Sequence, residues 1–417
     1  MTRAPDLAED VFTPAALDDP HALYARLRAA GPVHHLPGAG LHLVARHAQV
    51  LEVLDDPATY SSNLTALFFA GDDGRPALLD AGGTGPDVLA TADPPAHTAQ
   101  RAIVRHAFGR GSVESWRTAV EEIAASRIAA LTARGGGDWM AEVAAPLPVL
   151  VIARVLGLPD TDAARLTAWA DAGVELFSGH ADADRMLRLG ADMGDFLGYL
   201  RVRLDAAASR PTGGLVDTLV AARTRGELAA DEATAMLLQL VIAGSESTTS
   251  LLGSAVRLLA GRPELQDRLR KDPPAVERLV EEALRLESPF RGHFRITTRP
   301  AVLGGVRLPA GARLMLLWGA ANRDPAAHPE PDTLDLDRPG PKGHTAFGRG
   351  IHFCLGAHLA RLEAVVALRL LLAATSGLTL PADAAPGYVP SLFVRRLARL
   401  PIEVIQAIEV SGACRGG

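Results

Sequence analysis

Phe347-Gly348-Arg349-Gly350-Ile351-His352-Phe353-Cys354-Leu355-Gly356 is the stretch on which the reading of this chain turns. Two glycines two residues apart let a backbone turn run close to a flat ligand without Cβ clashes. Cys354 follows them and is expected to open a helix that runs to about Thr375, ahead of Gly377. A helix N-terminus supplies free N–H groups and the positive end of the helix dipole, and both favour thiolate over thiol. Three readings of such a cysteine compete. One is a buried free cysteine beside a turn, the common state of an unpaired Cys. The second is a zinc ligand, given His344, His352 and His358 nearby. Zinc sites normally use paired Cys or Cys/His spacings, and no second Cys is close. The third is a single axial thiolate to a haem iron.

The rest of the chain bounds the choice. Its 417 residues are 48% hydrophobic, 22% charged and 5% aromatic, a globular composition that favours helices over sheets. Length alone predicts two or three domains. The net charge of −6 excludes a global basic field for nucleic acid. Lys271 and Lys342 are the only lysines, so any docking surface for an acidic partner is local and made of Arg. Two cysteines, Cys354 and Cys414, make no disulfide framework and point to a reducing compartment. The opening MTRAPDLAED has no apolar segment, and Leu147–Leu158 is too short to span a bilayer and is interrupted by Pro148 and Arg154. A cytoplasmic protein without a membrane segment is expected.

Beyond the cysteine loop, three helices are predicted: one from Asp93-Pro94-Pro95 to about Phe108, one from about Asp231 to Ala260, and one from Asp272-Pro273-Pro274 to before Pro289. Strands are expected at Leu41–Ala45, Phe294–Thr298, Arg313–Leu317 and Ile402–Ile405, and a long loop at Ser61–Ala92. In the first helix His97 and Arg101, four apart, share a face. In the third, Glu282 and Arg285 are three apart, which by itself describes a surface ion pair. The long helix contains Ala243-Gly244-Ser245-Glu246-Ser247-Thr248-Thr249. A glycine in mid-helix costs about 1 kcal/mol and needs a reason, such as close approach to a ligand. The Ser247 hydroxyl is placed to bond back to the Ala243 carbonyl. Glu246 in an apolar helix is costly unless solvated or paired.

The pattern Phe-Gly-x-Gly-x-His-x-Cys-x-Gly resembles the haem-binding loop of the cytochrome P-450 superfamily, and the likeness extends over nearly the whole chain, including Ala321-Asn322-Arg323-Asp324-Pro325. It implies a mainly α, single-domain fold over 1–417, a triangular helical prism with a small β region, with flexible tails at about 1–10 and 410–417. That replaces the two-domain expectation. It implies haem b (iron protoporphyrin IX), with Cys354 as metal ligand. His97, Arg101, Arg295 and His352 would meet the propionates, and Ala243, Gly244, Phe347, Gly348 and Gly356 would line the ring. Glu282, Arg285 and Arg338 would form a structural latch. Glu246, Ser247 and Thr248 would serve oxygen activation, although the family's usual Thr is Ser247 here. Val241, Ile242, Phe290, Arg291, His293 and Phe393, together with the loop Leu64–Val88, are the expected substrate pocket.

The implied activity is insertion of one oxygen atom from O2 into a small organic substrate, by hydroxylation or epoxidation, in secondary metabolism. No Gly-rich dinucleotide loop follows a strand, so electrons come from a ferredoxin or flavodoxin with its reductase. Arg105, Arg110, Arg349 and Arg361 are candidates for its docking, and a monomer is expected. Two alternatives remain open at this point. One is a haem-thiolate enzyme of desaturation, ring coupling or peroxide-driven oxidation; the other is a non-catalytic haem-binding protein.

Overall fold

Helices dominate the computed structural model, which describes residues 9–71, 76–80 and 85–406. Those that build the site are α1 (Ala96–Val104), α2 (Arg117–Ala133), α3 (Pro146–Leu156), α4 (Ala163–Glu175), α5 (Ala183–Ser209), α6 (Ala230–Leu259), α7 (Ala275–Leu286) and α8 (Ala357–Ala374). The strands that concern us are β1 (Val33–Leu36), β2 (Leu41–Val44), β3 (Tyr60–Ser61), β4 (Ala66–Ala70), β5 (Pro76–Asp80), β6 (Gly136–Asp138), β7 (Gly292–Thr297), β8 (Arg313–Leu317), β9 (Thr375–Thr379) and β10 (Pro401–Gln406).

The predicted helices and strands are present, with ends displaced by a few residues. The main departure is in the expected loop Ser61–Ala92, where β4 and β5 form an antiparallel hairpin. Its stretch Ala66–Ala70 is a run of apolar residues too short to show a period. The expected tails fall largely outside the described residues, and Cys414 lies wholly outside them. Residues 9 and 10 already belong to a short 3-10 turn, Glu9–Phe12.

At 30 residues, α6 is roughly 45 Å long and crosses the molecule. It packs against α3, α4, α5, α7 and α8. By length and composition it is the one described helix able to cross a membrane; 56% of its most apolar window is buried inside the fold. Here its apolar surface is the centre of the largest core cluster. Helix α7 buries Val276, Leu279, Val280, Ala283 and Leu284, the i, i+3, i+4 pattern of a helix with one face on the core.

A five-stranded sheet runs in the order β1-β2-β8-β7-β3. Strand β8 is parallel to β2 and antiparallel to β7, with Leu316 opposite His293 and Leu314 opposite Arg295. Side chains alternate between faces along a strand, so His293 and Arg295 leave β7 on the same side. A second sheet, β9-β10-β6, closes the far end.

The latch is buried, not superficial. Arg285 donates to both oxygens of Glu282, at 2.7 and 2.9 Å, with both side chains 1% exposed. Arg338 Nε donates to Glu282 Oε1 at 3.2 Å, and the Asp335 N–H donates to Oε2 at 3.0 Å. The two guanidinium groups also donate to the carbonyls of Asn322, Pro329, Pro331 and Thr333. Burial alone would raise the Glu282 carboxyl, but Arg285, the Asp335 N–H and Arg338 hold it below its usual range. Residues 329–338 are thereby pinned to α7 just ahead of the cysteine loop. Glu282→Gln leaves two buried cations uncompensated and is expected to destabilise the fold by about 3–5 kcal/mol, read as a lower urea midpoint at unchanged slope.

Candidate functional site

The cysteine loop is held from behind by polar bonds and from below by an ion pair. Asn322 Oδ1 accepts from the N–H and hydroxyl of Thr345 at 2.7 and 2.9 Å, and the Gly348 N–H donates to the Thr345 carbonyl at 2.8 Å. Gly348 and Gly350 have φ of +65° and +67°, conformations that L side chains rarely adopt. A Cβ at Gly350 would also sit 3.0 Å from the Leu54 carbonyl oxygen. The Cys354 N–H donates to the Phe347 carbonyl at 2.8 Å. Arg361 on α8 lies 4.4 Å over the Phe347 ring and donates to both oxygens of Glu281, at 2.6 and 2.9 Å. His344 adds a third bond to that carboxylate at 3.0 Å.

Cys354 lies three residues before α8, not at its first turn as expected, and the N-cap is Gly356. Burial pushes its thiol above the usual range, while the Gly356 N–H, Arg101 and Arg361 pull it back. Among the described residues no group of three or more His, Cys, Asp or Glu is arranged to hold a metal, which leaves the zinc reading without a ligand set. A bound cationic metal would itself hold the sulfur as thiolate.

Above Cys354 opens a cavity whose empty space, open solvent at its mouth included, is about 1400 Å³. All ten residues assigned to haem contact line it: His97, Arg101, Ala243, Gly244, Arg295, Phe347, Gly348, His352, Cys354 and Gly356. At one edge the rings of His97 and His352 stand 4.3 Å apart, with His97 Nδ1 and both His352 nitrogens buried and unpartnered. Burial lowers both imidazoles, His352 to about 3. Arg101 donates only to the Phe353 carbonyl (2.7 Å), and Arg295, 8% exposed, only to the Phe294 carbonyl (2.7 Å). Neither has a carboxylate partner among the described residues. Burial pushes Arg295 down to about 10. Two cations and two imidazoles with orphaned nitrogens, lining the same cavity as a thiol, fit a haem whose propionates they would meet.

The helix phase of α6 decides which side chains face the void. Gln239, Leu240, Ala243, Gly244, Ser247, Thr248 and Leu251 line it. Val241 and Ile242, expected in the pocket, do not. Val241 is fully buried in the core, and Ile242 fills the space left by the missing side chain of Gly173 on α4. A Cβ on Gly244 would meet Ile152 of α3 at 3.0 Å, so this glycine serves helix packing as well as the cavity. Ser247 Oγ donates to the Ala243 carbonyl at 2.8 Å, the bond its spacing predicts. Glu246 is 3% exposed and lies outside the lining; its Oε2 is 3.2 Å from Arg396 Nη1, and its Oε1 has no partner. Burial raises its carboxyl to about 7 against the pull of Arg396. Arg396 in turn donates to Asp171 on α4 at 2.7 Å, a partner no local motif announces.

On the substrate side Phe290 and His293 line the cavity, with Leu89, Ala90, Pro289 and Trp318. The loop Leu64–Val88 contributes no described lining residue. Phe393 stands one layer back, its ring 4.8 Å from Phe290 and 5.5 Å from His293. Arg291 leaves the pocket entirely: it donates to the carbonyls of Ala16, Leu17 and Val394. The chain there pairs with the terminal loop, Phe290 bridging Val394, and three carbonyls gather the guanidinium. Of the four docking arginines, Arg105 and Arg110 are exposed, whereas Arg349 pairs with Asp55 at 2.7 Å and Arg361 is taken by Glu281.

These features occur together in a known class, the cysteine-ligated haem oxygenases. The chain belongs to the cytochrome P-450 family. The family model "Cytochrome P-450" matches residues 201–385. Cytochrome P-450 144 of Mycobacterium tuberculosis is 41% identical over 408 residues, covering 97% of this chain and 93% of that protein. The vitamin D(3) 25-hydroxylase of Pseudonocardia autotrophica is 36% identical, covering 94% and 96%. The structure of CYP109E1 from Bacillus megaterium in complex with testosterone superimposes with a TM-score of 0.84 at 28% identity, covering 94% and 99%. The protein is accordingly a haem-dependent monooxygenase with the mainly α fold of that family.

Several lining residues were not singled out in the sequence, among them Gln239, Leu240, Trp318 and Glu363. Glu363 on α8 is 2% exposed, its Oε2 has no partner, and burial pushes its carboxyl well above 4.5. A Glu two turns into an Arg-bearing helix reads as a surface residue, so only the fold exposes it. Because its folded pKa exceeds the unfolded one, its stability contribution is intact below about pH 4.5 and is lost as pH rises towards the folded value. Glu363→Gln should therefore show a smaller fall in Tm than the parent between about pH 5 and about pH 8.

Proposed function

We propose that the chain inserts one oxygen atom from O2 into a small organic substrate, by hydroxylation or epoxidation, and that Cys354 would ligate the iron of haem b. The observation that carries this is the convergence on one cavity of a cysteine thiol and four cationic or imidazole groups that have no carboxylate partner among the described residues. When bound, the haem supplies reductive activation of O2. His97, Arg101, Arg295 and His352 would hold its propionates. Ala243, Gly244, Phe347, Gly348 and Gly356 would leave room for the ring.

Proton delivery is the task of α6. Asp171, with its side chain 47% exposed, Arg396 and Glu246 form a polar line from the surface to the back of the helix. A carboxyl near 7 both takes and gives protons at neutral pH. Ser247 and Thr248, the two residues that follow Glu246, line the cavity and pass the proton inward through water. Ser247 lacks the methyl that restrains a threonine rotamer, but its bond to the Ala243 carbonyl fixes the hydroxyl instead.

Electrons would come from a ferredoxin or flavodoxin with its reductase, docked at Arg105 and Arg110, the two candidate arginines that form no ion pair among the described residues. We further propose that the protein is a cytoplasmic monomer serving secondary metabolism.

Cys354→Ala is expected to abolish the thiolate-type Soret shift of the reduced protein under carbon monoxide; retention of that shift would remove Cys354 as ligand. Glu246→Gln and Ser247→Ala should each lower product formed per reductant consumed, with turnover falling about a hundredfold for Glu246→Gln. Unchanged coupling in both rules the relay out.

A further inference from the structure

Two polar side chains in the cavity wall have their orientation set by neighbouring residues. Trp318 Nε1 lies 2.8 Å from His293 Nδ1. An indole nitrogen only donates, so Nδ1 must accept, and the proton of the neutral ring sits on Nε2. Phe290 and Phe393 pack edge-on to the imidazole at 5.1 and 5.5 Å and prevent it from turning over. Burial keeps the ring neutral, with its pKa down at about 3. From another wall, Gln239 on α6 accepts from the Ala90 N–H through Oε1 at 2.9 Å, which leaves its amide NH2 as the free end. Neither the His293 Nε2–H nor the Gln239 NH2 has a protein partner among the described residues, and both residues line the cavity.

The surrounding lining is apolar: Leu89, Leu240, Ala243, Pro289 and Phe290. The one carboxyl lining the cavity among the described residues, Glu363, belongs to α8. An ammonium group on these walls would find no anion and would lose its hydration. A carbonyl oxygen would find a donor already aimed, with no reorientation cost.

We propose that His293 and Gln239 are specificity-determining residues that select a largely apolar molecule carrying carbonyl-type acceptor oxygens at two separated points. This rests on reading the cavity as the substrate chamber of the monooxygenase. The propionate edge already has four partners, so His293 is available to substrate.

The test uses haem-loaded protein and two chain-matched probes, dodecane-2,11-dione and dodecane. Affinities are read both by the substrate-induced Soret shift and by isothermal titration calorimetry. The parent should prefer the dione, and His293→Phe and Gln239→Leu should each cut the dione-to-dodecane ratio about threefold to tenfold, the span of one neutral hydrogen bond. His293→Gln, which keeps a donor, should restore part of the ratio. Trp318→Phe, which frees the tautomer, should lose part of it. A structural role alone would weaken both probes equally. An unchanged ratio in His293→Phe and Gln239→Leu, or no preference in the parent, overturns the proposal. So does a His293→Phe effect confined to haem retention. A ratio that persists by calorimetry without any Soret shift would instead count against the monooxygenase reading of the cavity.

Discussion

Uncompensated positive charge around an internal void is the constraint from which the rest of this molecule follows. Arg101 and Arg295 have no carboxylate partner among the described residues, and His97 and His352 have buried ring nitrogens with nothing to bond. Burying such groups costs several kcal/mol unless an anion meets them. The fold bears that cost because the void admits a dianionic, flat ligand, and the polypeptide around it is braced to keep the void open. Burial is the main reason the two imidazoles stay neutral, and neighbouring guanidinium groups, Arg101 for His97 and Arg295 and Arg101 for His352, further oppose protonation.

The bracing is concentrated on one helix. Three carboxylates at the end of α7 each gather arginines from distant parts of the chain. Glu281 holds Arg361 and, with it, the face of Phe347 beneath the cysteine loop. Glu282 holds Arg285 and Arg338. Glu287 pairs with Arg395 from the terminal loop and Arg323 from the segment after β8. Loop segments with little secondary structure of their own are thereby tied to a helix that is itself packed on α6 and α8. The position of Cys354 relative to α6 is set by these ties together with the hydrogen bonds of the loop. Ionic ties suit this task, since a fork of two parallel N–H donors fixes direction as well as distance.

Local chemistry was legible in the linear pattern. The cysteine loop, the His97/Arg101 pair, the Glu282/Arg285 pair and the Ser247 back-bond each involve residues within one or two turns, so spacing alone predicts the contact. The β4–β5 hairpin was not legible, because a five-residue apolar run shows no period. The pocket assignments on α6 missed by one or two residues. Helical period says which residues share a face, but the face that meets the cavity depends on where α3 and α4 press against it.

What the sequence by itself determined is the inventory and its short-range arrangement: a lone cysteine after two αL glycines, a long apolar helix with an acid in its middle, and paired charges on the flanking helices. Only the tertiary structure decided which of these groups face each other. It gave Glu246 the remote partner Arg396, drew Arg291 away to the carbonyls of Ala16 and Leu17, sealed Glu363 inside, and set His293 against Trp318. The reason is range: backbone geometry fixes contacts over three or four residues, whereas ion pairs and ring contacts between residues tens to hundreds apart exist only once the helices have packed.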